Sequence, residues 1–380
     1  MRSIRPRVPG KLTFWRRRIT AILVVGAIAA AIWVALADGT PTRDPIRRSP
    51  AEALSTAELA GQRLITGFQG GSPPEQVKRM IHQGKVAGVI LFDYNLGSRH
   101  QIRRLVRKLQ AIKRPRGLRS PLLVMIDQEG GLVKRLSGPP NASAEEMGRR
   151  GRRYSHRQGA KTAGNLKDVG VNVDLAPVLD VGRAGSAIRA EHRSFGSKPR
   201  RVIRTAIPFA TAMQDHGVAA TGKHFPGLGA AEGNTDNGVQ KIHLSRAKLR
   251  RIDEKPYGPF STQGGDLVML STAVYTHFSK RPAIATRGIA TGELRHRVGF
   301  KGVSVTDALE TPAVKHFGSS VSVGVDAANA GTDLLLYIRN HHAARAGQVL
   351  QERLKAGTLK RPSFERSVNR VLKLRASLGK

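Results

Sequence analysis

From Ala51 onward the chain alternates short β-branched apolar runs with longer stretches decorated by Arg and Lys, and it does so eight times. The runs are Leu64–Phe68, Val86–Phe92, Leu122–Asp127, Val171–Pro177, Val218–His224, Asp266–Ser271, Gly302–Asp307 and Asp333–Tyr337. Continuous apolar runs of this length are expected of strands buried on both faces, and the intervening amphipathic stretches are expected of crossover helices. Eight βα units are the number that closes a parallel sheet on itself, so the expected fold class is α/β, a (β/α)8 TIM-type barrel. The alternative is an open doubly wound sheet, but no Gly-x-Gly-x-x-Gly follows the first run to hold a pyrophosphate.

The N-terminal segment has a different character. Residues 1–18 carry seven Arg and Lys and no acid, and Ile19 to Ala37 contain no charge. Nineteen apolar residues at about 1.5 Å each span roughly 28 Å, close to a bilayer's hydrocarbon core of about 30 Å. The excess of positive charge places residues 1–18 in the cytoplasm and everything after Asp38 outside. The sequence thus predicts a transmembrane anchor at 19–37 and a cell-membrane location. The alternative is a signal peptide, for which Ala35-Leu36-Ala37 offers a cleavage site, and then a secreted protein. Residues 38–50, with Pro41, Pro45 and Pro50 among polar residues, read as a linker to a domain over 51–380.

Charge narrows the range of partners. Lys and Arg number 64 against 27 Asp and Glu, a formal net charge of +37, while aromatic residues make up only 5%. Such a surface should be drawn to anionic wall polymers or lipid headgroups. An Arg-rich composition without any specific partner is the plainer reading. Nucleic acid is not the expected partner, because neither a stacking platform nor a helix-turn-helix pattern is present and the domain is exported. The chain has no Cys, and its twelve His show no metal-ligand spacing, so no metal or other cofactor is expected.

Polar residues gather where the runs end, which is where barrel enzymes place their chemistry. The third run leads into Asp127-Gln128-Glu129-Gly130-Gly131, the fourth to Asp180, the fifth into Lys223-His224-Phe225-Pro226-Gly227 and the seventh to Asp307. Asp307 has a second reading as a helix cap, because Asp307-Ala308-Leu309-Glu310 has capping-box spacing. Arg193 and Lys223 also have one, as ordinary surface cations in so basic a chain.

Taken together these segments resemble glycoside hydrolase family 3, in the branch of bacterial β-N-acetylhexosaminidases. The resemblance runs in order through Ile126 to Gly131 with Val133 and Arg135, Ala176 to Val181, Arg193-Ser194-Phe195-Gly196 and Lys223 to Gly227. It continues through Gly299 to Val303, Ala330 to Asp333, and a last helix around Ser367 to Leu372. It implies a retaining glycosidase acting on a β-linked amino-sugar glycan, with Asp307 as the nucleophile. It further implies that Asp127, Arg135, Arg193, Lys223 and His224 bind the sugar. Truncating Lys223 or Arg193 should then weaken binding with the fold intact.

One loop departs from the family pattern. The branch follows its Pro-Gly with His-Gly and then Asp-Ser-His, whose His is the acid/base. Here the matching places read Gly227-Leu228-Gly229 and Asp236-Asn237-Gly238, in a longer loop. The only carboxyls on that loop are Glu232 and Asp236, and Asp236 is the candidate acid/base. The alternative function is a non-catalytic sugar-binding protein that has lost proton transfer.

Overall fold

The computed structural model describes residues 49–379. The expectations for a basic segment, an anchor or signal helix and most of the linker fall on residues outside that range. Among the described residues, no helix is long and apolar enough to cross a membrane.

All eight expected runs form strands. They are β1 (Leu64–Thr66), β2 (Gly88–Ile90), β3 (Leu123–Ile126), β4 (Val173–Asp174), β5 (Ala219–Phe225), β6 (Leu267–Leu270), β7 (Val303–Thr306) and β8 (Leu335–Tyr337). Neighbours pair in parallel, with β1 between β2 and β8 and the order then running through β3, β4, β5 and β6 to β7. The two ends of this sheet meet. Thr306 N–H donates to the Leu334 carbonyl at 2.9 Å and Leu334 N–H to the Ser304 carbonyl at 2.8 Å. The result is a barrel-like, near-closed parallel sheet.

Every residue of the eight strands is buried. Alternate side chains point to opposite faces, so one set fills the barrel and the other meets the helices. Ile65, Met125, Val173, Leu267, Val303 and Leu336 belong to the interior cluster, whereas Leu64, Val124, Val268 and Leu335 belong to the outer one.

The main crossover helices are α1 (Glu75–His82), α2 (Arg99–Ala111), α3 (Arg152–Asp168), α4 (Pro199–Asp215), α5 (Arg246–Ile252), the π-helical α6 (Gly288–Arg297), α7 (Ser320–Ala330) and α8 (Asn340–Lys355). In α2 the apolar positions Ile102, Leu105, Val106 and Leu109 are buried, at the spacing of one helix face. Ser98 caps its first turn, accepting from the Gln101 N–H while Gln101 reaches back to the Ser98 N–H at 2.7 Å. Helices α3 and α4 pack closely at Gly159, where a Cβ would stand 2.2 Å from the Phe209 carbonyl oxygen.

A further helix, α9 (Arg361–Ser377), crosses the N-terminal ends of the strands. Its Val371 and Leu374 join the interior cluster, and its Arg375 donates to the carbonyls of Leu118, Ser120 and Pro121 just before β3. One end of the barrel is therefore plugged, and the polar residues at the strands' C-terminal ends face the other.

Candidate active site

At the C-terminal ends of the strands lies a cavity of about 390 Å³. Asp127, Arg135, Arg193, Lys223, His224, Asp236 and Asp307 all line it. These residues are up to 180 positions apart in the chain, and the convergence of the strands alone brings them together. Glu232 does not join them; it is exposed and absent from the lining.

The centre of the site is a buried charge network. Asp127 follows β3 directly, and Glu129 lies in a short hairpin formed by Gln128–Gly130 and Val133–Lys134. The Gln128 side chain fixes that hairpin, donating to the Leu136 and Pro139 carbonyls and accepting from the N–H groups of Arg135 and Leu136. The turn needs Gly130 and Gly131, whose φ angles are +94° and +60°. From β5, the Lys223 ammonium reaches both Asp127 and Glu129 at 2.7 Å. Arg193 grips Glu129 with two bonds of 2.9 Å and bonds Glu191 at 3.0 Å. Burial would raise the Glu129 carboxyl, but Arg193 and Lys223 hold it well below the usual carboxylate range. Burial likewise opposes the Lys223 charge, and Asp127 and Glu129 overcome it, so the ammonium stays protonated.

His224 is set by Asp180. One Asp180 oxygen is 2.7 Å from His224 Nδ1, and the other accepts the N–H groups of His224 and Leu228. With Nδ1 engaged, Nε2 is the ring nitrogen left for a ligand. Beneath the network, Asp174 accepts the Gln128 N–H at 2.9 Å while its second oxygen has no partner among the described residues. Complete burial pushes its carboxyl well above the usual carboxylate range, against the pull of the Gln128 N–H and the Lys223 charge.

The two remaining carboxylates differ from these. Asp307 lies just past β7 and accepts the Ala308 N–H at 2.7 Å through Oδ1. It makes no ion pair among the described residues. The capping box does not form: Glu310 bonds the N–H groups of Ile338 and Arg339 and the His342 ring, and the next helix begins only at Pro312. Asp236 sits at the mouth with solvent on one side. Desolvation on its protein side and then the Asp307 charge push its carboxyl up, and His224 and Arg193 pull it part of the way back.

Sequence reasoning assigned no role to Glu129, Asp174, Asp180 or Glu191. Glu129 and Asp180 stood in the quoted segments, but their partners are 64 and 44 positions away. It left open whether Arg193 and Lys223 are surface cations; the structure buries Lys223 and holds the half-buried Arg193 in the same network. Among the described residues, no group of His, Asp and Glu is arranged to hold a metal ion.

A barrel-like α/β fold with a charged, blind cavity at the strands' C-terminal ends is the arrangement of the barrel enzymes. Within it, the model of the glycosyl hydrolase family 3 N-terminal domain matches residues 56–374, and the chain belongs to that family. It is 38% identical over 342 residues to an uncharacterized secreted glycosyl hydrolase of Arthroderma benhamiae, covering 87% of this chain and 96% of that one. It is 31% identical over 293 residues to the β-hexosaminidase of Alkalilimnicola ehrlichii, covering 74% and 82%. Among solved structures, the family 3 β-N-acetylglucosaminidase of Paenibacillus sp. FPU-7 superposes with a TM-score of 0.81 at 30% identity, covering 86% of this chain and 64% of that one. The β-N-acetylhexosaminidase of Beutenbergia cavernae gives 0.78 at 27% identity, covering 85% and 98%. The chain is thus β-N-acetylhexosaminidase-like in both sequence and structure.

Proposed function

We propose that the protein is an exported retaining β-N-acetylhexosaminidase in which Asp307 is the nucleophile and Asp236 the general acid and base. The observation that carries this reading is the pairing of two unlike carboxylates in one cavity. Asp307 is in no ion pair among the described residues, while the Asp236 carboxyl, at the solvent-facing mouth, is raised by partial desolvation and by the Asp307 charge. Two such environments separate a nucleophile from a proton donor.

In the first step the free Asp307 oxygen attacks the anomeric carbon. The glycosidic bond breaks, and the departing oxygen takes the Asp236 proton. In the second step Asp236 removes a proton from water, whose oxygen displaces Asp307 and releases the sugar. Lys223, Arg193, Arg135, His224 and Asp127 surround the bound ring and present donors and acceptors to its hydroxyls. The cavity lies at the low end of ligand-site volumes of about 300–1,000 Å³, a size that suits one terminal sugar residue. Export rests on the charge-free stretch Ile19 to Ala37 and agrees with the secreted description of the Arthroderma benhamiae relative. Retention of that stretch as an anchor would hold the domain at the outer membrane–water boundary.

The test compares an aryl N-acetyl-β-glucosaminide, the matching glucoside and an N-acetylglucosamine oligosaccharide. Asp307→Asn should reduce turnover of all cleaved substrates by about 10⁴-fold. Asp236→Asn should slow the oligosaccharide by roughly 10²–10⁴-fold, spare the activated aryl glycoside by comparison, and be partly rescued by azide. Turnover that survives Asp307→Asn refutes the mechanism. A wild type that binds N-acetylglucosamine yet cleaves no activated glycoside establishes the sugar-binding alternative.

A further inference from the structure

The loop that brings Glu191 and Arg193 to the catalytic cavity has a second side. Its residues Gly182, Arg189, Ser194, Gly196 and Lys198 line a separate cavity of about 270 Å³. Adjoining it is another of about 280 Å³ at the start of α4. Arg149, Lys198 and Arg201 line both, which makes the two a continuous trough.

The trough is built from cations. Arg149, Arg189, Lys198, Arg200, Arg201 and Arg204 line it, and all six are exposed. None makes an ion pair among the described residues, in contrast to Arg193 a few positions away. The single acid in the lining, Glu145, is already engaged with His192 at 2.5 Å. Helix α4 points its N-terminus here, and its N-cap Lys198 supplies no capping side chain, so the positive end of a 17-residue helix adds to the field. Like charges held this close repel one another, and an anion relieves the repulsion.

We propose that this trough docks a phosphate-bearing polyanionic glycan chain and holds it beside the catalytic cavity. The inference rests on the glycosidase reading and names the chemistry of the polymer that carries the substrate. Five of the six cations are guanidinium groups, whose planar forks match the tetrahedral oxygens of phosphate two at a time. The concave shape suits a chain. A membrane-surface site would add apolar side chains to insert, but the large exposed apolar residues among those described are Tyr94 and Leu132, neither of which lines the trough.

Long-chain inorganic polyphosphate is the probe. Full-length protein is titrated with fluorescent polyphosphate, with polygalacturonate and with phosphatidylglycerol vesicles, across a salt series. The variant Arg149→Glu/Lys198→Glu/Arg201→Glu is compared with Arg104→Glu/Arg107→Glu/Lys108→Glu, an equal charge change on the solvated face of α2. Thermal melts verify that both fold. The trough variant should bind polyphosphate about tenfold or more weakly, with the control near wild type. It should also raise KM for a phosphate-bearing polymeric substrate while hydrolysing an aryl glycoside at the wild-type rate. Equal losses in the two variants, or none in the trough variant, overturn the proposal. Polygalacturonate or vesicles binding as tightly as polyphosphate also overturns it, in favour of carboxylates or a membrane. Polyphosphate binding that depends on the trough in a protein without glycosidase activity leaves docking standing and removes the catalytic reading.

Discussion

Both ends of the barrel bury a carboxylate among cations, and they leave their surroundings in opposite states. At the plugged end, Asp333 accepts from Arg295 at 2.5 Å, from Arg370 at 2.6 and 3.0 Å, and from the Ser304 N–H at 2.9 Å. Burial would raise its carboxyl, but Arg295 and Arg370 hold it at about 2. The group ties β7, β8, α6 and α9 together, and among the described residues its carboxylate lines no cavity, although Arg295 and Arg370 also border one of about 460 Å³. At the open end Glu129 is saturated in the same way by Arg193 and Lys223, yet Asp307 and Asp236 beside it have no cation bonded to them. Saturation on its own makes a structural tie. A saturated pair next to uncompensated carboxylates makes a site whose ionisation a substrate can alter.

The largest expected difference lies at the plugged end. Asp333→Asn leaves two guanidinium groups without their carboxylate and should cost about 3 kcal/mol, a fall in Tm of roughly 4 °C for a domain of this length. KM of the folded fraction should stay at the wild-type value, because the site is at the other end. The depressed pKa also fixes the pH window. This contribution is fully present above about pH 4 and is lost as pH falls through about 2. Equal melting temperatures for variant and wild type at pH 7 would mean the tie is not structural.

At the open end the effect should be smaller in stability and visible in binding. Lys223→Met keeps most of the side-chain volume and leaves Glu129 still gripped by Arg193. A cost of about 2 kcal/mol is expected, together with weaker N-acetylglucosamine binding by titration calorimetry. This replaces the expectation of an intact fold on truncation, since Lys223 is buried and pairs two carboxylates. Unchanged affinity with a lowered Tm would move Lys223 to the structural class of Asp333.

How far each end could be read from the chain follows from the same physics. The eight barrel strands were legible because a strand buried on both faces must be a continuous apolar run, and each expected run holds its strand, β5 alone extending one residue further to Phe225; the short hairpin and edge strands outside the barrel were not read. Asp307 was legible as a polar residue at a strand end, although its cap reading could be dismissed only once Glu310 was seen bonding Ile338 and Arg339. Glu129 and Asp180 were visible as letters without roles, because a carboxylate's role depends on the cation or ring that meets it across the barrel. Asp333 closed one of the quoted segments, yet nothing in its neighbourhood points to Arg295 and Arg370, 38 and 37 positions away. The trough draws its cations from around Arg149 and from Arg189 to Arg204, and the overall charge of +37 concealed it.

The smallest expected effect separates two carboxylates at the plugged end itself. Asp266, just before β6, is half-buried and has no cation partner among the described residues, and only the backbone N–H of Ala220 favours its ionised form. Burial raises its pKa to about 6, opposite in direction to Asp333. The folded state therefore holds this proton more tightly than the unfolded chain, whose Asp titrates near 3.9. Stability from this group is complete below that value and falls as pH rises through about 6, above which an ionised carboxylate remains partly desolvated. Asp266→Asn keeps an acceptor for the Ala220 N–H and removes the charge. It should therefore stabilise the protein at pH 7.5, on the order of 1 kcal/mol once screening by solvent at its exposed edge is allowed for. It should have no effect near pH 4. Melting both proteins across pH 4–8 tests this: the Tm difference should open in favour of Asn between about pH 4 and 6 and then level off. A difference that stays constant with pH, or one that favours Asp at pH 7.5, would show that Asp266 has a compensating cation in solution and belongs with Asp333 after all.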